Sequence, residues 1–178
     1  MFLFGDKKSM TMLMTKRLIL RPITTDDDQF MLTLLNEPSF IEHIADRGVR
    51  TLAQAKNYIK EHLLTMSKGN GFTLFVATIK DTGQTIGFCG LLQREYFDSP
   101  DIGFAFLQSH CQCGYGYEVA LAVLNYEIKR ADLPKILAMT SVDNLASMAL
   151  LKKLGFAFVK QANIAGYASE SKIFQYLA

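Results

Sequence analysis

One segment combines glycines with a position where phosphate chemistry is possible. Gln112, Cys113, Gly114, Tyr115, Gly116 and Tyr117 join a predicted buried strand to an amphipathic helix. The first turn of a helix carries unpaired N–H groups and partial positive charge, and glycines let the backbone approach a ligand. The segment therefore predicts a pyrophosphate cradle. In an alternative interpretation, the glycines only turn the chain.

The segment differs from two common phosphate-binding motifs. It lacks a third glycine at the spacing of the dinucleotide fingerprint, and it lacks the Gly-Lys-Ser/Thr of a P-loop. Glu118 follows early in the helix, where a negative charge suits the helix dipole. These features argue against Rossmann dinucleotide binding and P-loop chemistry.

Cysteine and metal chemistry are also disfavoured. Cys111 and Cys113 precede a helix N-terminus, a position that makes thiols more acidic. Covalent catalysis also requires a base, and His110, as a neighbour along an extended strand end, points to the opposite face. Cys111-Gln112-Cys113 does not have zinc-knuckle spacing, and no second pair follows. We expect neither a nucleophilic cysteine nor a metal site.

Length and composition predict one globular domain over residues 1–178, with residues 1–14 as a mobile lead-in. The chain has 178 residues, of which 49% are hydrophobic and 20% charged, and a net charge of +2. We expect no nucleic-acid partner and no membrane, because Lys and Arg form no cluster and no apolar run is long enough to span. Three cysteines and a poor signal-peptide pattern predict a cytoplasmic location.

The elements that would position the loop alternate along the chain. Hydrophobic periodicity, capping residues and turn signals predict strands over 17–22, 72–79, 85–94, 101–108, 135–140, 156–163 and 171–177, and helices over 26–36, 51–66, 115–130 and 144–154, with a turn at 68–71. Short turns imply antiparallel neighbours, whereas the strand–helix–strand stretch 101–141 implies a parallel crossover. The fold class is therefore α+β (mixed α/β), with helices on both faces of a mixed sheet.

Four segments in order resemble the GNAT superfamily of acyl-CoA-dependent N-acetyltransferases: 101–107, 114–118, 143–147 and 151–156. The opening 15–22 is similar to the branch that acetylates N-terminal alanines of ribosomal proteins. The resemblance spans residues 15–177. It implies a GNAT fold, a central, mostly antiparallel sheet of about seven strands flanked by about four helices and splayed at two central parallel strands. It also implies acetyl-CoA as cosubstrate.

The resemblance also implies which residues bind coenzyme A. Backbone groups near Phe106 and Leu107 would pair with the pantetheine arm like an added strand, and the loop 112–117 would hold the pyrophosphate through its N–H groups. Asn144 would contact the pantetheine arm, although a role as helix N-cap is equally open. Cys111 stands where the family usually has Arg or Gln, so the side-chain contribution to phosphate binding is lost or comes from Gln112.

The same resemblance implies the proton-transfer groups. Many members carry a tyrosine that acts as the general acid at the position of Leu151, and a leucine cannot donate a proton. The resemblance implies Ser147 as the proton donor in place of that tyrosine. Alternatively, Ser147 is a small residue for close packing. Asp101 stands where the family often has Glu and would act as base through water, with Glu95 in reserve. Asp101 could instead be an ordinary polar strand start. A backbone N–H near Phe106 would stabilise the thioester oxygen.

The resemblance implies acetyl transfer to a primary amine, a protein N-terminus or a small molecule, by direct attack in a ternary complex. Two alternatives stay open: a coenzyme A-binding module with little or no catalysis, and an enzyme of another class with a coincidental glycine loop. Phe40, Tyr96, Phe97 and Tyr167 would either line the acceptor cleft or simply pack. His43 and His62 lie in regions that cover the acceptor side in this family, and the favoured interpretation is that they are ordinary surface residues. We expect a monomer or a homodimer, the latter through the apolar C-terminal strand at a sheet edge.

Overall fold

One mixed sheet organises the chain. A computed structural model describes residues 11–66, 71–164, 167 and 170–178. Its strands are β1 Leu13–Met14, β2 Leu18–Pro22, β3 Leu74–Ile79, β4 Thr85–Leu92, β5 Asp101–Phe106, β6 Lys135–Ser141, β7 Ala157–Ala162 and β8 Ser171–Leu177. Their order across the sheet is β1-β2-β3-β4-β5-β6-β8-β7. The pair β5–β6 is parallel and the other neighbours are antiparallel, which confirms the predicted crossover.

The α-helices that flank the sheet in the described residues include α1 Asp28–Leu35, α2 Pro38–His43, α3 Leu52–Tyr58, α4 Tyr115–Ala131 and α5 Leu145–Lys153. A π-helical turn, Ile59–Leu63, continues α3. The starts of the first two predicted helices are closed by capping boxes, in which the side chains of Thr24 and Thr51 accept backbone N–H groups. The predicted GNAT-type mixed fold is confirmed, with more elements than expected.

Three details differ from the sequence prediction. Leu13 and Met14, assigned to the lead-in, form β1, where they lie opposite Leu20 and Ile19. Helix α2 was not predicted because six residues are too few to show helical periodicity. The C-terminal strand β8 lies between β6 and β7, so the prediction that it pairs with a second copy at a sheet edge is wrong. Residues 1–10 of the lead-in and 68–70 of the predicted turn lie outside the described residues.

The core has two parts, one on each face of the sheet. Leu18, Phe75 and Val123 belong to the part between the sheet and helices α4 and α5. Met31 and Ile59 belong to the part under α1–α3. Strand β5 contributes to both parts, as expected of a central strand buried on both faces. Of the helices in the described portion, none is long and apolar enough to cross a membrane.

Candidate active site

The parallel strands β5 and β6 part shortly after they begin. Their register contains only Asp101 with Leu137 and Ile102 with Ala138. Beyond that point β5 continues beside β4 to Phe106, while β6 continues beside β8 to its own end. A gap therefore opens between two strands that are each held on their other side, and the splay implied by the resemblance is confirmed.

The main chain of β5 offers hydrogen-bonding groups to this gap. The N–H of Leu107 donates to a carbonyl of β4 at 2.8 Å, while the carbonyl of Pro100 accepts from β6 at 2.9 Å. Because alternate residues of a strand point their N–H and C=O to the same side, those of Phe104 and Phe106 face the gap. The carbonyl of Leu107 accepts from the following 3-10 turn at 2.9 Å. The N–H and the C=O of Leu107 both form hydrogen bonds within the chain, so Leu107 does not face the gap. The two residues whose main-chain groups face the gap are Phe104 and Phe106.

The glycine loop leads directly into α4. Gly114 is the helix N-cap, with φ +80°, a left-handed conformation that glycine adopts without a Cβ penalty. The first helical bond runs from the N–H of Glu118 to the carbonyl of Gly114 at 3.2 Å. The N–H groups of residues 115–117 therefore have no acceptor within the helix. Gly114, as the N-cap residue, has no side chain that could accept from them. The predicted anion-binding geometry is present; the role of Gln112, Cys113, Gly114, Tyr115, Gly116 and Tyr117 in binding stays a prediction.

Arg17 and Glu118 hold the loop in place. The Arg17 guanidinium donates to the carbonyl of Cys113 at 2.9 Å and to Glu118 at 2.7 Å, and it lies 4.2 Å above the Tyr115 ring. Glu118 also accepts from the Thr15 hydroxyl at 2.6 Å. Burial opposes the charge of Glu118, but these hydrogen bonds outweigh it and lower the pKa of that carboxyl. Glu118 therefore links the segment at Thr15 and Arg17 to the start of α4, a role that its position near the helix dipole did not predict.

Cys111, beside the loop, does not become acidic in the way a helix start predicts. Cys111 Sγ lies 3.6 Å from the carbonyl of Leu107. Burial and the nearby Glu37 raise the pKa of the Cys111 thiol, which makes it a poorer nucleophile. Within residues 11–66, 71–164, 167 and 170–178, His, Cys, Asp and Glu form no cluster of three or more that could hold a metal.

A cleft of about 910 Å³ continues from the gap between β5 and β6. Ser147, Asn144 and Leu151 of the α5 region line it, together with Phe104 of β5. The Asn144 side chain accepts the N–H of Ser147 at 2.9 Å, so Asn144 is the helix N-cap, and its contact with a pantetheine arm stays a prediction. Ser147 is half-buried in the first turn of α5.

Asp101 lies under the cleft. Its exposed fraction is 1%, and neither carboxylate oxygen has a hydrogen bond among the described residues. Burial raises the pKa of Asp101 to about 6, against the opposing effect of Arg94, whose Nε is 3.5 Å from Oδ1. Asp101 is not among the residues that line the cleft, and the exposed Glu95, in the turn after β4, is not among them either.

Arg94, Tyr96 and Tyr167 form a further wall of the cleft. Arg94 Nη1 donates to the hydroxyl groups of Tyr96, at 3.1 Å, and Tyr167, at 3.0 Å. Burial raises the pKa of Tyr96 to about 12, although Arg94 opposes this, so the phenol stays protonated at neutral pH. Phe40, Tyr96 and Tyr167 line the cleft, whereas Phe97 packs on Tyr96. His43 and His62, for which surface positions were favoured, line the cleft too. The sequence analysis missed Arg94, because no motif surrounds it.

Comparisons with known proteins agree with this geometry. Residues 17–157 match the family model of the acetyltransferase (GNAT) domain. The chain is 30% identical over 158 residues to the uncharacterized N-acetyltransferase YjdG of Bacillus subtilis, which covers 83% of this chain and 90% of that protein. Among solved structures, RimL, a ribosomal-protein α-N-acetyltransferase in complex with coenzyme A, is similar with a TM-score of 0.81 at 15% identity, covering 94% of this chain and 98% of that one. An acetyltransferase from Agrobacterium tumefaciens is similar with a TM-score of 0.79 at 21% identity, covering 99% and 100%.

At these identities the two structures establish the shared fold only. The family match is stronger evidence, because it extends over most of the sequence and includes the splayed strands, the glycine loop and helix α5. The chain therefore belongs to the GNAT family of acetyltransferases, which are acyltransferases that use acetyl-CoA.

Proposed function

We propose that this protein transfers an acetyl group from acetyl-CoA to a primary amine by direct attack within a ternary complex. The observation that carries the proposal is the continuity of three features: the bare helix start at Gly114, the gap beside β5, and the cleft that contains Ser147. Their order matches the diphosphate, the extended arm and the thioester of coenzyme A. Acetyl-CoA supplies an activated acetyl thioester when it is bound.

Binding would depend mainly on the protein backbone. The N–H groups of residues 115–117 would hold the pyrophosphate, with Gln112 and Cys113 at the loop entrance. The main-chain groups of Phe104 and Phe106 that face the gap would hold the pantetheine arm in the manner of an added strand. Asn144, at the opposite wall, would contact the same arm while it caps α5. The absence of a side-chain anchor at Cys111 is thus compatible with binding.

Ser147 would donate the proton that the departing sulfur needs. Its backbone N–H is held by Asn144, and its hydroxyl has no hydrogen-bond partner within the described part of the chain. It therefore keeps a free donor on the wall of the cleft. Leu151, one turn further along α5 on the same wall, offers no proton.

Asp101 would accept the proton of the incoming amine through water. A pKa of about 6 leaves its carboxyl mostly ionised at neutral pH and more basic than an ordinary aspartate. Because Asp101 does not line the cleft, the proton has to pass along an intervening water beside Arg94. Glu95 stays the reserve candidate, at an exposed position in the turn after β4.

The acceptor would be a peptide N-terminus or a small amine, since proteins of this fold include both RimL and a chimeric spermidine N-acetyltransferase from Vibrio cholerae. The competing candidate is a coenzyme A-binding module without turnover. The burial of Asp101 away from the cleft and the apolar Leu151 favour that alternative.

Two measurements separate these candidates. Calorimetric titration with acetyl-CoA tests binding, and release of free coenzyme A in the presence of peptide and small-molecule amines tests transfer. Binding with amine-dependent release supports the proposed transferase. Binding without release from any amine leaves the binding module, and the absence of heat with any coenzyme A derivative contradicts both.

A further inference from the structure

Arg94 is a cation on the cleft wall with hydrogen-bonding capacity left over. It follows β4, and 18% of its side chain is exposed. Nη1 donates hydrogen bonds to the hydroxyl groups of Tyr96 and Tyr167. The distance from Nε to Oδ1 of Asp101 is 3.5 Å, which is too long for a good hydrogen bond. Nη2 has no hydrogen-bond partner among the residues that the structure describes. The guanidinium is thus oriented by two phenols and by the ion pair with Asp101, and the N–H donors of Nη2 remain available.

Among the residues that the structure describes, no carboxylate of the cleft lining pairs with Arg94. Asp101, its nearest carboxylate, is buried and does not line the cleft. Of the two carboxylates in the lining, Asp46 is bound by Arg50 at 2.7 Å and Glu42 is exposed. The other titratable groups of the lining are neutral phenols, two histidines and a second cation; they are Tyr58, Tyr96, Tyr167, His43, His62 and Arg47.

We propose that the acceptor is an amine that also carries a carboxylate, and that Arg94 binds this carboxylate. The inference rests on the proposed acetyl transfer and names its acceptor class. The N–H groups of Nη2 can donate charge-assisted hydrogen bonds to such a carboxylate, and Tyr96 and Tyr167 fix the guanidinium through Nη1.

The same cation would select against other amines. A positive charge near the acceptor nitrogen disfavours its protonated form and so favours the neutral nucleophile. A polyamine would bring a second cation toward Arg94 and Arg47, and the repulsion would lower its affinity. An uncharged amine would leave the guanidinium without its partner.

Acceptors of similar size test this inference. The first set contains the dipeptide Ala-Gly, its C-terminal amide and 1,4-diaminobutane. The second set contains an N-terminal hexapeptide amide with aspartate at its second position and the same peptide with asparagine. The dipeptide pair tests an α-carboxylate and the hexapeptide pair tests an acidic side chain, so the two sources of the carboxylate are distinguished.

The wild-type enzyme should prefer one acid-bearing acceptor over its uncharged counterpart by about 10- to 100-fold in kcat/KM, and the diamine should be the poorest. Arg94→Gln should remove that preference through KM, and because it also removes the cation beside Asp101, any fall in kcat should be the same for both members of a pair, so the ratio of their kcat/KM values is the readout. Arg94→Lys should retain part of it. Lys129→Gln removes one charge from an exposed position of α4 outside the cleft and should change nothing. Tyr96→Phe should weaken the preference while the charge of Arg94 is kept.

Several results would overturn the inference. Equal use of acid-bearing and uncharged acceptors, or preference for the diamine, would contradict it while the acetyl transfer itself stands. If Arg94→Gln lowers kcat/KM by the same factor for acid-bearing and uncharged acceptors, so that the preference is retained, with an unchanged thermal midpoint, Arg94 supports Asp101 and does not bind the acceptor. If no amine releases coenzyme A although acetyl-CoA binds, both this inference and the proposed transfer fail.

Discussion

Arg17 and Glu118 lie 101 positions apart in the sequence and form an ion pair of 2.7 Å across the start of helix α4. The pair links the segment before β2 to the glycine loop, because the same guanidinium also binds the carbonyl of Cys113. A loop whose binding depends on main-chain N–H groups needs a fixed backbone. We therefore expect the ion pair to support coenzyme A binding by fixing the loop.

We expect Arg17→Gln to weaken acetyl-CoA binding about tenfold, because the loop loses two hydrogen bonds and a cation–π contact. The ion pair is partly exposed and contributes little to global stability, so the thermal midpoint should change by only a few degrees. Calorimetry measures the affinity, and Lys16→Gln is the neighbouring charge control. An unchanged dissociation constant for Arg17→Gln would contradict this role.

Ser147→Ala should lower kcat about 100-fold or more if the hydroxyl protonates the sulfur, while acetyl-CoA affinity stays within a factor of two. The Asn144 cap binds the backbone of residue 147, so α5 should fold normally in the variant. Ser109→Ala, in an exposed 3-10 turn, is the matched control. A rate equal to wild type would remove Ser147 from proton transfer and leave the close-packing interpretation.

The parts of this site that are local in sequence were predictable, and the parts that depend on distant contacts were not. The loop, helix α4 and the parallel crossover all follow from glycines, apolar periodicity and turn residues between 101 and 141. No pattern in the sequence predicts the ion pair between Arg17 and Glu118. Nor does any pattern predict the position of Arg94 beside Asp101, which depends on the register between β4 and β5. Sequence analysis therefore identified Asp101 as a candidate base but not its burial.

Asp101 gives the enzyme a defined dependence on pH. Burial raises the pKa of its carboxyl to about 6, and Arg94 opposes this. As the base, Asp101 should lose function once protonated, so kcat/KM should fall about tenfold per pH unit below pH 6 and level off above it. Asp101→Asn should lower the rate by about 100-fold and abolish the inflection near pH 6. Persistence of that inflection in the variant would assign it to another group.

The same shift predicts how stability varies with pH. The pKa of Asp101 is higher in the folded state than its ordinary value of 3.8, so the folded protein binds more protons between pH 4 and pH 6. Its stabilising contribution is complete below the unfolded pKa and is lost as pH rises through about 6. Relative to Asp101→Asn, the wild type should lose roughly 3 kcal/mol of unfolding free energy over this range. Urea unfolding of both proteins at several pH values measures the difference, and parallel curves would contradict the burial of the carboxyl.

Gly87 of β4 lies against Phe106, whose main chain faces the gap. A Cβ at this position would overlap with the Phe106 ring and would come within 2.8 Å of the carbonyl of Ala105. We expect Gly87→Ala to cost about 1–3 kcal/mol of stability, because the backbone and the ring must move. Displacement of β5 should also weaken acetyl-CoA binding severalfold. Gly103→Ala, where a Cβ would meet only the Leu92 side chain, at 3.2 Å, should cost less. Equal unfolding midpoints for the two variants would show that β5 is not held against β4 at Phe106.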